Sequence, residues 1–147
     1  MSNPREDLLQ PSLSADKAIP AAPYSVRATL FTGLFGGPFA AFGIVSLNAW
    51  RLKLFMNDVP ILIAALAASM AGIWWLLQNP ISDSPSLPRL YLRIGGAAIV
   101  GVGYLLHRQQ HRNTDLSDLE RPNGWIAGIA FVIAGGLLYG IFVYFTL

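Results

Sequence analysis

The sequence predicts an all-α membrane protein: a bundle of four transmembrane helices, up–down and antiparallel, behind a disordered N-terminal tail. Three observations lead there. Only 12% of the 147 residues are charged, where soluble domains average about 25%. Mean hydropathy is +0.49. Residues 28–50, 59–82 and 122–147 contain no Asp, Glu, Lys or Arg, and a helix needs about 20 apolar residues to cross a bilayer core. Composition also sets limits. The chain has no cysteine, which excludes thiolate metal sites, Fe–S clusters, thiol nucleophiles and disulfides. Its net charge of +2 comes without a clustered basic face, so nucleic-acid binding is not expected.

Residues 1–26 differ in kind from the rest. They hold Pro4, Pro11, Pro20 and Pro23 with several serines and mixed charges, and they read as a disordered polar tail. No apolar core of signal-peptide length lies there, so a secretory signal is not expected. Residues 27–147 form one membrane domain with spans near 28–50, 59–78, 89–108 and 123–146.

The first span contains Gly36-Gly37-Pro38. Proline lacks an N–H and clashes with the carbonyl four residues back, so a kink is expected near Leu34. Lipid tolerates such a break where neighbours satisfy the freed backbone. In some transporters the broken ends line an ion site. Asn48, near the far end before Trp50 and Arg51, is expected at the interface, hydrogen-bonded to a loop or a neighbouring helix.

The second span carries Ala64, Ala68 and Gly72 at four-residue spacing and ends near Trp74 and Trp75. Indole rings favour the membrane interface. Pro80, Pro85 and Pro88 stop helix from running through the next link. The third span is weaker, because residues 94–106 are too short alone. Extending it back brings in Arg93, with Arg89 on the same face. Arg93 has two readings: an anchor that snorkels to the headgroups, or a functional arginine buried in the bundle. The link over residues 108–124 is the longest. Trp125 then opens the fourth span.

Helices associate in lipid through close packing of small residues. The candidate packing or kink residues are Gly33, Gly36, Gly37 and Pro38 in the first span and Gly124, Gly128, Gly136 and Gly140 in the fourth. Lys and Arg near the span ends fail to orient a four-span chain. Arg51, Lys53, Arg108, Arg112 and Arg121 lie on one side, and Arg5, Lys17, Arg27, Arg89 and Arg93 on the other. Orientation stays open under the positive-inside rule.

The run Val26-Arg27-Ala28-Thr29-Leu30-Phe31, then Phe35-Gly36-Gly37-Pro38-Phe39-Ala40, then Asn48 and Leu52, resembles the opening of small uncharacterised bacterial membrane proteins with an FxGGPxA-type first span. The likeness covers the first third of the chain. It implies a bacterial inner-membrane location and brings no activity with it.

Catalytic and metal chemistry finds little support. His107 and His111, four apart, have the spacing of two metal ligands, with Asp115, Asp118 and Glu120 following. Arg108 and Arg112 beside them disfavour a cation, and the pair reads as an exposed basic helix end. No HExxH, GxSxG, P-loop or Rossmann pattern occurs, and no cofactor is expected. The expected function is therefore non-catalytic. The chain acts through helix or loop contacts as an accessory subunit, assembly factor or regulator of a membrane complex, with a protein partner or a second copy on its small-residue faces. A small homo-oligomeric channel or transporter is the alternative, and immunity against a membrane-targeting toxin is a third reading.

Overall fold

A computed structural model describes residues 22–79, 87–116 and 122–146. The tail through residue 21, most of the link holding Pro80 and Pro85, and residues 117–121 with Asp118 and Glu120 lie outside the described residues. The chain is all-α: α1 (Val26–Arg51), α2 (Phe55–Gln78), α3 (Leu87–Leu106), α4 (Arg108–Leu116) and α5 (Trp125–Thr146). Four of these helices, α1, α2, α3 and α5, are long and apolar enough to cross a membrane. α4 occupies ground that reads as a loop in the sequence.

α1 is not a straight rod. Gly37 has φ +71° and ψ −164°, a region that essentially only glycine occupies. Pro38 follows and starts the helix afresh, its fixed φ suiting a first helical turn. The expected kink is in fact a reversal. The backbone N–H of Tyr24 donates to Asn48 Oδ1 at 2.8 Å, although 24 residues separate them. A straight helix would hold these groups about 35 Å apart. α1 is therefore a helical hairpin. Limb 26–36 runs inward, limb 38–51 runs back, and both ends open at the same face of the bundle, which we term the mouth. The up–down antiparallel order persists, with one more reversal than the apolar windows suggest.

The hairpin lies between α3 and α5, which pack on it more extensively than any other helices pack on each other. α5 makes no comparable contact with α2 or α3. Small residues set the distance of approach. A methyl placed on Gly96 of α3 would overlap the Gly33 carbonyl oxygen, and one on Gly135 of α5 would sit 2.7 Å from the Gly36 carbonyl oxygen. Backbone thus meets backbone on both sides of the hairpin. Ala41, Ile44, Val45, Leu62, Ile99 and Val100 fill the remaining core.

The hairpin stops short of the far side. At its tip, the γ-carbon of Pro38 and the δ-carbon of Ile73 both lie near Gly95. Ile73 stands 18 residues beyond Phe55 and five before the end of α2, so the tip reaches roughly 27 Å along a helix of about 36 Å. Beyond the tip, α5 has no hairpin to pack on, and Leu137, Leu138, Ile141, Tyr144 and Phe145 are exposed.

Candidate functional site

Among the described residues, the buried polar and charged residues are Thr29, Thr32, Asn48, Asp58, His107 and His111. All but Thr32 lie at the mouth. In lipid, a polar group without a partner is costly, so their pairing is the first question.

Asn48, only 2% exposed, joins the two limbs of α1. Its Oδ1 accepts from the Tyr24 N–H, and its Nδ2 donates to Thr29 Oγ1 at 3.4 Å. Thr29 in turn donates to the Ser25 carbonyl at 3.1 Å. Ser25 caps the inward limb by accepting from the Ala28 N–H at 3.2 Å, the usual role of serine at a helix start. Arg51 closes the outer edge: its Nε donates to the Ala22 carbonyl at 3.1 Å, and its guanidinium lies 4.8 Å from the centre of the Tyr24 ring, within cation–π range. Four interactions therefore hold the ends of the hairpin together.

The second cluster ties α2 to α3. His107 Nε2 donates to Asp58 Oδ2 at 2.8 Å, and the side chains are 2% and 12% exposed. α2 starts at Phe55, one turn earlier than the charge-free window suggests, so Asp58 lies in its first turn. There a carboxylate complements the helix dipole. His111 is buried one turn further on. The reading of His107 and His111 as an exposed helix end is corrected here. The helical face bearing Gly96, Val100 and Gly103 continues through the junction of α3 and α4, because the His111 N–H still donates to the His107 carbonyl at 2.9 Å. The inward face of α3 carries both imidazoles inside.

Between the clusters lies a cavity of about 10 Å3, lined by Thr29, Val45, Asn48, Tyr104 and His111 among others. It has room for about one water molecule. Among the described residues, no three His, Cys, Asp or Glu side chains converge on a common point. The Asp58–His107 pair ties the start of α2 to the end of α3.

The other sequence candidates are distributed as follows. Gly33, Gly36, Gly37 and Pro38 are buried at the hairpin. Gly124 faces Ala28 and Tyr24, and Gly128 faces Thr32. Gly136 and Gly140 meet nothing within 4 Å; the contact is made by their neighbour Gly135, which faces the hairpin. Arg93 is exposed, and its guanidinium lies 5.6 Å from the centre of the Phe35 ring. The buried reading of Arg93 does not hold within this chain.

Asp58 is the residue that sequence reasoning missed. A usable signal was present. Asp58 opens one span and His107 closes the next, so antiparallel packing puts them at one end of the bundle. Compared with protein-family models, curated proteins and solved structures, the chain matches none.

Proposed function

We propose that the chain is a non-catalytic multi-pass membrane protein that works through helix contacts, as an accessory subunit, assembly factor or regulator of a membrane complex. The observation that carries this reading is the open space beside Gly136 and Gly140 of α5. Gly136 and Gly140 have no neighbour within 4 Å, although glycines at four-residue spacing suit close approach of another helix. The interior adds support. The hairpin tip is packed on both sides by backbone, and the mouth is held by paired polar groups. The resemblance of the first third to small bacterial membrane proteins supports a bacterial inner-membrane location.

Purification of the tagged protein in mild detergent, with mass spectrometry of co-eluting chains, tests the reading. A stoichiometric partner is expected, and Gly136→Leu with Gly140→Leu should release it while leaving the chain folded. A partner-free homo-oligomer would favour the second reading, a small channel or transporter. The broken helix at Gly37 speaks for that reading, since half-helix ends are used to bind ions in some transporters.

A further inference from the structure

We propose that the outer face of the α3–α4 junction binds the phosphate of an anionic phospholipid headgroup. Tyr104, Arg108, Gln109 and Arg112 line a shallow open hollow of about 580 Å3. This volume exceeds the need of a single ion and suits a headgroup. Every lining side chain carries a hydrogen-bond donor, and two are permanently cationic.

The position of the hollow selects the ligand. Tyr104 belongs to the last turn of α3 and Arg112 to α4, so the hollow straddles the level at which an apolar helix leaves the bilayer. Tyrosine favours this level, and basic pockets there hold anionic headgroups. Tyr104, Arg108 and Arg112 are spaced four residues apart on one face. His107 and His111 are buried, and the His111 ring stacks on Tyr104 with centroids 5.9 Å apart, so Tyr104 marks the inner edge of the hollow. The bond from His107 to Asp58 fixes the rotation of the junction, and this keeps both guanidiniums turned outward. The fold thus presents a preformed pair of cations at the membrane surface.

The test is native mass spectrometry of the full chain, extracted into detergent and exchanged with phosphatidylglycerol or phosphatidylcholine. The expected result is selective retention of phosphatidylglycerol. Retention should fall roughly thirtyfold in Arg108→Gln/Arg112→Gln, on the scale of two surface cations. Arg89→Gln/Arg93→Gln is the control, because it removes an equally spaced pair at the other end of α3 and should leave retention unchanged. Equal losses in the two double variants would overturn the site. Equal retention of phosphatidylcholine would overturn the assignment to anionic lipid. Displacement of the lipid by millimolar inorganic phosphate, with no selectivity among lipids, would assign the hollow to a soluble ligand and also overturn the proposal. None of these readouts depends on a protein partner, so a failure here is distinguishable from a failure of the proposed function.

Discussion

The two ends of the bundle are built on opposite principles. From the mouth to the hairpin tip, the two limbs of α1 lie between α3 and α5; backbone touches backbone near the tip, and buried Asn48, Asp58 and His107 at the mouth each have a partner. Beyond the hairpin tip, Leu137, Leu138, Ile141, Tyr144 and Phe145 of α5 are exposed, and Gly136 and Gly140 face open space. The lesson is that a hairpin of two half-length limbs completes only part of a bundle. Asn48, Asp58 and His107 at the mouth pair within the chain, and the far end is left for lipid or another protein.

The largest expected effect is all-or-none. If α1 reverses, Ala22 and Lys53 lie on one side of the membrane and Asn79 on the other. Folding α1 back also breaks the tie in positive charge. Among the described residues, Arg27, Arg51, Lys53, Arg108 and Arg112 are at the mouth, and only Arg89 and Arg93 lie at the opposite end. The positive-inside rule then puts the mouth in the cytoplasm. The chain has no native cysteine, so single cysteines report cleanly. An impermeant thiol reagent on sealed cells should label Asn79→Cys and spare Ala22→Cys and Lys53→Cys. Opposite behaviour of positions 22 and 53 would mean that α1 crosses the membrane.

The reason the sequence does not reveal this reversal is physical. Apolar length measures how much chain lipid can accommodate and says nothing about direction. A full-length span and two half-length limbs have the same composition. Pro38 signals a break, and a proline break alone gives a bend of tens of degrees. The remainder comes from Gly37 adopting a conformation closed to other residues, and from Asn48 finding the Tyr24 backbone. Neither feature has a periodicity. The helical class, the four apolar segments and the glycine spacing were legible because each depends on local composition. The mouth was not, because Asp58 and His107 are 49 residues apart and become neighbours only through the packing order.

The next effect tests the packing at the hairpin. Gly96→Val places a branched side chain where the Gly33 carbonyl oxygen and the Gly37 carbonyl carbon lie. Backbone cannot yield as a flexible side chain does, so the cost exceeds the usual ~1–3 kcal/mol of overpacking. Monodisperse protein should be lost in detergent size-exclusion chromatography. Recovery of a wild-type elution profile and melting temperature would contradict the close approach of α3 to α1.

Removing one member of the buried dyad should have an intermediate effect. Asp58→Leu leaves the His107 Nε2–H without an acceptor, and His107→Leu leaves a carboxylate without a donor. Each single change should destabilise by about 3 kcal/mol, the scale for an uncompensated buried partner. Asp58→Leu/His107→Leu should recover part of that loss, because both polar groups are gone together. Thermal unfolding of the four proteins in one detergent gives the coupling. Strictly additive losses would mean that the two residues act independently.

The smallest effect is the counterpart of Gly96. Gly140→Ala adds a methyl where no atom lies within 4 Å, and glycine in a helix interior is less favourable than alanine by roughly 1 kcal/mol. The isolated chain should therefore unfold at the same temperature or slightly higher, although the sequence places Gly140 in the same spacing pattern as Gly124 and Gly128. A bulkier Gly140→Leu should also leave the isolated chain folded, because the face is open. The comparison sharpens when partner and chain are measured together. A substitution that is silent in the isolated chain and disruptive in the assembled complex would show that the far end of α5 is completed by another protein. If Gly140→Leu unfolds the chain alone, α5 packs within the molecule beyond the hairpin tip, and the contrast between the two ends of the bundle disappears.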